Sequence, residues 1–291
     1  MAGRQRRRNL IGDESLISVE LLADSASLTS RLTTFRLVYP AMIHAEIMTH
    51  RSFSRNASSS RAITTPKMIA SVLKDPAMPV AWRQHQKGMQ AGPDLATEEA
   101  EEAEKIWLTA RDSACAAAAK MYAQGVSKEI TNRVLAPWLH MHVILSATDF
   151  DNFFKLRVNK MAQPEMQSLA LEMLKQYMTS IPKKLNFGEW HSPFPKICLN
   201  ESLDTQLKVA AAHCARVSYN SDKQFSIEDD LELFDRLTKN GHLSPLEHVA
   251  QVSEPGYHAN FNGFLQLRRE YESMGKINLC NLLDEYSNTD L

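Results

Sequence analysis

Thr49–Ile63, with the sequence THRSFSRNASSSRAI, is the most informative stretch of this chain. Four basic side chains share it with one asparagine and five serines, so few of its residues can build a core. Arginine offers paired N–H donors that match phosphate, and serine adds hydroxyl donors. Residue chemistry alone therefore indicates either a site for a phosphorylated small molecule or a solvated polar loop. The chain contains neither a P-loop pattern nor GxGxxG.

The composition of the whole chain is that of an ordinary globular protein. Among 291 residues, 33 Lys and Arg balance 34 Asp and Glu, and 44% are hydrophobic. These values exclude disordered, collagen-like and coiled-coil classes. No apolar run approaches the roughly 20 residues that span a bilayer, and the near-zero charge does not favour a protein that coats nucleic acid. We therefore expect a cytoplasmic protein with neither membrane nor nucleic acid as a partner.

The apolar patterns predict strands mixed with long helices. Alternating patterns predict strands over residues 17–21, 32–39 and 140–147. Helical spacing predicts helices over residues 94–125, 165–181, 203–215, 227–240 and 260–271. We therefore expect an α/β (α+β) fold in which a mixed β-sheet is flanked by long helices.

The chain is expected to divide into three parts. Residues 1–12 are predicted to be a disordered basic tail, because their arginines have almost no apolar partners. Residues 13–185 are expected to form the main catalytic lobe, and residues 186–291 a C-terminal segment that completes the same fold. The turn-rich residues 182–195 would join the two.

Residues 241–248, GHLSPLEH, form a second cluster of reactive side chains. Two histidines and a glutamate could bind a metal, form structural hydrogen bonds or line a cofactor pocket. Pro245 would interrupt a helix running through all of them, and no further ligand is obvious. The four cysteines form neither a CxxC pair nor zinc-finger spacing, so we expect no metal.

A third cluster is NFFKLR at residues 152–157, followed by AQPE at residues 162–165. Taken alone, it indicates only an arginine that covers core residues and pairs with a helix carboxylate.

Together these segments resemble the flavin-dependent thymidylate synthase (ThyX) family. The family signature runs Arg-His-Arg-x-x-Ser-x-Asn-Glu-x-Ser-x-Arg-Tyr, and the matching positions here are His50, Arg51, Ser54, Asn56, Ser59 and Arg61. Residues 125–135 resemble its Gly-x-x-x-Glu-x-x-Arg segment, and residues 152–165 its Leu-Arg-x(4)-Ala-Gln-x-Glu segment. Residues 242–248 resemble its His-x-Ser-Pro-x-Glu-His segment.

The order of these segments is changed relative to the usual family member, in which the His-x-Ser-Pro-x-Glu-His segment precedes the arginine-rich signature. Here it follows, so we expect the family fold with a permuted segment order. Permutation can rebuild the same pocket when the exchanged ends lie close in space. Such versions are associated with bacteriophages, which would place the protein in the host cytoplasm.

The resemblance implies a homotetramer whose active sites form between subunits, with FAD in an extended groove. It also implies the reaction: NADPH reduces the flavin, 5,10-methylenetetrahydrofolate supplies one carbon, and dUMP is converted to dTMP. No cysteine nucleophile is required.

The resemblance also assigns residues to the site. Those implied to contact the flavin are His50, Arg51, Ser54, Asn56, Asn152, His242 and Ser244. Those implied to bind the nucleotide are Glu46, Ser59, Ser60, Arg61, Arg133 and Arg157. Arg157 would be catalytic, because a guanidinium beside the pyrimidine can orient the base and stabilise developing charge. Aligning Arg133 requires a small gap, and Asn132 is the rival position.

Departures from the family pattern leave more than one possible substrate. The substituted positions are Glu46 for Gln, Thr49 for Arg, Ala57 for Glu, Ala62 for Tyr and Met161 for His. A carboxylate at position 46 would repel a phosphate unless an arginine lies between them. A different pyrimidine monophosphate such as dCMP, a hydroxymethyl product, or a non-catalytic nucleotide-binding protein therefore stand as alternatives.

Overall fold

The computed structural model describes residues 17–88, 92–218 and 225–274, and a five-stranded mixed sheet lies at its centre. The predicted tail at residues 1–12 lies outside the described residues. In chain order the strands are β1 (Ser18–Ala26), β2 (Arg31–Pro40), β3 (Ser54–Ala57), β4 (His140–Ala147) and β5 (Lys183–Lys184). From edge to edge they lie in the order β3-β4-β2-β1-β5, and all pairs are antiparallel except β1 with β5.

A second, three-stranded antiparallel sheet is formed by the C-terminal part of the described chain. Its strands are β6 (Trp190–His191), β7 (Ala250–His258) and β8 (Phe261–Gln266), with β7 in the middle. The turn-rich segment predicted as a join supplies one short strand to each sheet, because β5 pairs with β1 and β6 pairs with β7.

Helices surround the two sheets. They are α1 (His44–Met48), α2 (Thr65–Lys74), α3 (Thr97–Ala123), α4 (Lys128–Thr131), α5 (Asp151–Arg157), α6 (Pro164–Thr179), α7 (Leu203–Ala215), α8 (Ile227–Lys239) and α9 (Arg268–Met274). Short 3-10 helices include Ser60–Ala62, Asn132–Trp138 and Ser244–His248. None of the helices in the described ranges is long and apolar enough to cross a membrane.

One face of the five-stranded sheet carries the main core. Phe35 lies opposite Leu145, and Leu37 lies opposite Val143, so alternate residues of β2 and β4 point to the same side. The apolar stripe of α6 and the aromatic residues of α5 pack against this face. The packing fixes the end of α5, where Arg157 lies.

The opposite face of the sheet is covered by the C-terminal segment. Leu32 of β2 shares a buried cluster with Leu185 and with residues of β7 and β8. Beside this cluster, Ser54, Ser146 and Thr34 lie side by side on β3, β4 and β2. The segment that contains residues 242–248 is thereby held against β3.

The predicted class, a mixed sheet flanked by long helices, is confirmed. The predicted strands correspond to β1, β2 and β4, and the predicted helices up to residue 240 correspond to α3, α6, α7 and α8. The helix expected over residues 260–271 is wrong, because residues 261–266 form strand β8 and only α9 is helical. The spacing of Phe261, Phe264 and Leu267 imitates a helix, but these buried residues pack in the second sheet and beside it.

Candidate active site

The guanidinium of Arg157 is hydrogen-bonded to two side chains, those of Glu46 and His50. Its Nη1 donates to Oε2 of Glu46 at 3.0 Å, and its Nε donates to Nε2 of His50 at 3.1 Å. Glu46 lies on α1, His50 follows the end of that helix, and Arg157 is the last residue of α5. Arg157 therefore meets two residues that lie 107 and 111 positions away in the sequence, at the point where two helices end.

The hydrogen bond to Arg157 fixes the protonation of His50. Because Nε2 accepts, the ring proton of neutral His50 lies on Nδ1. Burial lowers the pKa of His50, and the charges of Arg157 and Arg55 lower it further. The ring stacks on Phe53 and meets the edge of Phe153, with centroid distances of 5.6 and 5.0 Å. His50 is thus a neutral, firmly packed acceptor at neutral pH.

Arg55 holds the turn that carries His50. Its Nη1 donates to the carbonyl oxygens of His50 at 2.8 Å and Ile47 at 3.2 Å. Ile47 lies in the last turn of α1 and His50 two residues beyond it, and Arg55 adds a side-chain donor to carbonyls that also accept the backbone N–H groups of His50 and Phe53. The sequence interpretation gave Arg55 no role, although its place in the signature was visible. Its function as a helix cap emerges only when β3 is placed beside α1.

The motif at residues 242–248 reaches the signature through one pair of side chains. Ser244 Oγ donates to Oδ1 of Asn56 at 3.2 Å, and Asn56 Nδ2 donates to the carbonyl of Cys214 at 2.6 Å. Two residues predicted to contact the flavin, 188 positions apart, therefore touch. The motif at residues 242–248 therefore lies beside the arginine- and serine-rich stretch.

The other polar residues of that motif are engaged elsewhere. Glu247 pairs with Arg268, and Nδ1 of His248 lies 2.8 Å from Ser146 Oγ. In the three described ranges, no group of His, Cys, Asp or Glu side chains is arranged to hold a metal. The hydrogen-bonding interpretation of these two residues therefore agrees with the structure.

Asn132 anchors the serine-rich loop. Its Nδ2 donates to the carbonyls of Ser60 at 2.8 Å and Ile63 at 2.9 Å, and Asn132 is fully buried. Ser59 Oγ accepts from the backbone N–H of Arg61 at 3.3 Å and so shapes the turn. Two positions are rivals for alignment with the family arginine. Asn132 contacts the serine-rich loop, whereas the adjacent Arg133 is exposed.

Several of the residues that the resemblance assigns to the site are exposed to solvent. Arg51, Arg61, Arg133, Asn152 and His242 are exposed. Within the described part of the chain, no salt bridge involves Arg51, Arg61 or Arg133. Their guanidinium groups are available to anionic ligands.

Ser54 differs from the other predicted flavin contacts because it is buried. It is 2% exposed, and its hydroxyl accepts from Gln266 Nε2 and Asn260 Nδ2, each at 3.0 Å. Sequence reasoning missed both partners, which lie 206 and 212 positions away. No local pattern signals such a contact, because it depends on how the second sheet docks.

Comparison with protein families decides the assignment. The model of the Thy1 family, described as thymidylate synthase complementing protein, matches residues 30–183. This match spans just over half of the chain. The chain belongs to this family. The Thy1 match contains Glu46, His50 and Arg157 and the serine-rich loop, whereas residues 242–248 lie outside it.

Similar solved structures include two of the UMP/dUMP methylase PolB from Streptomyces cacaoi. The structure bound with 5-Br dUMP is 17% identical and covers 55% of this chain and 89% of that chain. The structure bound with 5-Br UMP is 16% identical and covers 56% and 89%, and both have a TM-score of 0.46. No curated protein matches the chain.

Membership in the Thy1 family makes this chain a thymidylate synthase-like methyltransferase of a flavin-dependent family. The expected family and the expected enzyme class are therefore confirmed.

Proposed function

We propose that this protein catalyses the reductive methylation of dUMP to dTMP, with FAD, NADPH and 5,10-methylenetetrahydrofolate. The observation that carries the proposal is the position of Arg157, fixed by Glu46 and His50 inside the Thy1 segment. Both partners restrain the guanidinium. A preorganised cation of this kind can orient a pyrimidine and stabilise charge that develops on it.

The serine-rich loop supplies the proposed binding site for the nucleotide phosphate. Ser59, Ser60 and Arg61 lie on the turn that Asn132 anchors, and Arg133 follows Asn132 directly. The exposed guanidiniums of Arg61 and Arg133 therefore extend from two segments joined by a hydrogen bond. Such a pair of donors suits a phosphate dianion.

The residues present also fit a flavin. Arg51, Asn152 and His242 are exposed, and the Asn56–Ser244 pair links the signature to the permuted motif. These residues would hold FAD, which supplies the hydride chemistry when bound. Ser54 could join them only if Asn260 and Gln266 released its hydroxyl. In this proposal the protein binds and orients two flat rings.

We further propose a homotetramer with active sites between subunits. The exposed arginines 51, 61 and 133 would then face a second copy of the chain across a shared site. Sedimentation of the purified protein tests this directly, and a monomer at assay concentration would contradict it.

The test of the function begins with a flavin spectrum. The protein should show flavin absorption bands or acquire them on addition of FAD, and should then oxidise NADPH when dUMP and methylenetetrahydrofolate are present. Formation of dTMP is measured by chromatography. Nucleotide binding without flavin binding or NADPH oxidation would overturn the proposal and favour a non-catalytic nucleotide-binding protein.

A second candidate substrate follows from Glu46. A carboxylate only accepts hydrogen bonds, whereas the glutamine expected from the family pattern also donates. The exocyclic amine of a cytosine base would be a suitable donor to Glu46 beside Arg157. Parallel assays with dUMP and dCMP, with analysis for methyl and hydroxymethyl products, distinguish the two substrates.

A further inference from the structure

A hairpin of the second sheet ends beside the turn that carries His50. Its tip, residues 257–262, joins β7 to β8. Within this hairpin tip, Asn260 Nδ2 donates to the carbonyl oxygen of Ser52 at 3.0 Å, and Asn260 Oδ1 accepts from Nε2 of Gln266 at 3.0 Å. Because a carbonyl oxygen can only accept, the Nδ2 side of the amide must face Ser52. The hairpin tip is therefore bonded to the backbone two residues after His50.

The hairpin tip also bonds to the segment that leads into α5. The hydroxyl of Tyr257 donates to Oδ2 of Asp149 at 2.6 Å, and the backbone N–H of Asn262 donates to Oγ1 of Thr148 at 3.0 Å. Helix α5 begins two residues after Asp149 and ends at Arg157. The hairpin tip therefore contacts a segment next to each partner of the bond between the histidine and the arginine of the site.

Aromatic packing connects these two segments to each other. Phe53 directly follows Ser52, Phe150 directly follows Asp149, and the two ring centroids are 5.2 Å apart. Phe53 also stacks on His50, with the centroids 5.6 Å apart. A shift of either segment is therefore passed to the ring that stacks on His50.

The backbone of the hairpin tip is strained at Ala259. Its φ is 59°, in the left-handed region that residues other than glycine rarely adopt. Ala259 directly precedes Asn260, so the strained residue sets the direction of that side chain. Strained backbone persists where surrounding contacts hold it, and it is concentrated at functional sites. The strain at Ala259 therefore favours a role for the contacts that Asn260 makes.

The C-terminal segment is also docked on the main sheet away from the hairpin tip. Nε2 of His191 lies 2.8 Å from Oγ1 of Thr34, and Nδ1 of His248 lies 2.8 Å from Oγ of Ser146. All four residues are fully buried. Burial lowers the pKa of each histidine to about 3, so both rings are neutral near pH 7. Loss of one contact at the hairpin tip should therefore leave the segment docked.

We propose that the hairpin tip positions His50 against Arg157, with Asn260 as the main positioning residue and Tyr257 as a second. Asn260 holds the backbone after His50, so the lone pair of the ring stays directed at Nε of Arg157. The consequence for catalysis rests on the proposed function. The positioning itself belongs to the ligand-free protein and is tested without substrate, so the two can fail separately.

The first experiment follows the Nε–H of Arg157 by NMR in ligand-free, full-length protein labelled with ¹⁵N-arginine, near pH 7. The signal of Arg157 is the one that Arg157→Lys removes. In Asn260→Ala we expect this hydrogen to exchange with water several-fold faster than in the wild type, because its acceptor is held less firmly. An unchanged exchange rate in folded Asn260→Ala would overturn the proposal.

Two controls separate positioning from a general loss of stability. Gln251 lies near the start of β7, and its Nε2 donates to the carbonyl oxygen of Gly188 at 2.8 Å. Gln251→Ala therefore removes the same kind of bond from the same hairpin. Thr65→Val removes a hydroxyl from a fully buried pair, Thr65 and Thr131 at 2.7 Å. Neither control should change the signal of Arg157, and an equal acceleration in either would overturn the proposal.

Tyr257→Phe keeps the test decisive if Asn260→Ala does not fold. Tyr257 is 64% exposed, and phenylalanine removes only the hydroxyl that donates to Asp149. We expect the Nε–H of Arg157 to exchange faster than in the wild type, though less so than in Asn260→Ala. If Asn260→Ala does not fold, an unchanged rate in Tyr257→Phe overturns the proposal.

Enzyme assays test the consequence for catalysis. We expect kcat with dUMP to fall several-fold in Asn260→Ala and to stay unchanged in Gln251→Ala. KM for the nucleotide should stay close to the wild-type value in both, because Asn132 anchors the serine-rich loop separately. An unchanged kcat in Asn260→Ala would overturn the positioning role. A wild-type protein without turnover would instead contradict the proposed function, and the exchange rates would then decide the positioning alone.

Discussion

Nε of Arg157 donates to Nε2 of His50 across 3.1 Å, and the geometry of this bond orients the guanidinium. Glu46 receives a second N–H from Nη1. Arginine has five N–H donors, so most of the group stays available to a ligand. The three residues form a preassembled unit whose parts can be tested one at a time.

Replacing Arg157 with lysine should abolish most activity without unfolding the protein. Lysine keeps the charge but cannot bond Glu46 and His50 with one rigid fork. We expect kcat to fall by roughly 10²-fold or more, as is typical when a preorganised donor is lost. Turnover and thermal unfolding should be measured together. Arg111→Lys is the control, because Arg111 pairs with Asp112 on helix α3. Full activity of Arg157→Lys would contradict the catalytic role.

Glu46→Gln should shift the preference between nucleotides. The amide can still accept from Arg157, and it adds an N–H that can donate to O4 of uracil. One additional hydrogen bond of roughly 1 kcal/mol should raise the kcat/KM ratio of dUMP to dCMP by about five- to tenfold. Glu20→Gln, at the exposed pair with Arg36, provides the matched control. An unchanged ratio would show that Glu46 does not face the base.

Asn132→Ala should weaken nucleotide binding more than catalysis. The substitution removes the donor to the carbonyls of Ser60 and Ile63, so the turn that carries Arg61 loses its anchor. We expect KM for the nucleotide to rise with little change in kcat, and the free energy of unfolding to fall by about 1–3 kcal/mol. Thr65→Val controls for lost stability, because it leaves this anchor in place. Equal rises in KM for both variants would contradict the prediction.

Acid should destabilise the protein through His191 and His248. Their pKa is about 3 in the folded state, against 6.5 for an ordinary histidine, so the unfolded state binds more protons below pH 6.5. Their stabilising contribution is therefore complete above pH 6.5 and is lost as the pH falls from 6.5 towards 3. Each histidine lowers the free energy of unfolding by up to about 1.4 kcal/mol per pH unit.

Urea unfolding at a series of pH values measures this dependence. His191→Gln removes one titrating ring and should reduce the steepness by up to about 1.4 kcal/mol per pH unit. An equal slope in the wild type and this variant would show that the buried rings do not control acid stability.

Much of the fold was predictable because its signals are local. The strand at residues 140–147 and the helix at residues 203–215 follow from patterns within single elements, and both match β4 and α7. The wrong helix at residues 260–271 arose because three apolar residues with helical spacing pack in and beside the second sheet. Short strand β3 has a polar sequence, and only its pairing with β4 shows that it is a strand.

Part of the candidate site was predictable because the resemblance to a family names its residues. The contacts of Arg157 and of Ser244 join residues that the sequence interpretation had already named. The roles of Arg55, Asn260 and Gln266 were not predictable, because they depend on neighbours that the sequence does not place next to them.

The buried contact between Thr34 and His191 has an evolutionary consequence. Thr34 lies inside the Thy1 segment and His191 outside it, 157 positions away. Because Thr34 and His191 are buried hydrogen-bonding partners, replacing one with an apolar residue leaves a polar atom of the other unpaired, at a cost in stability. Substitutions at the two positions should therefore arise as pairs, and the same holds for Ser146 and His248. The two parts of this chain therefore constrain each other at these positions.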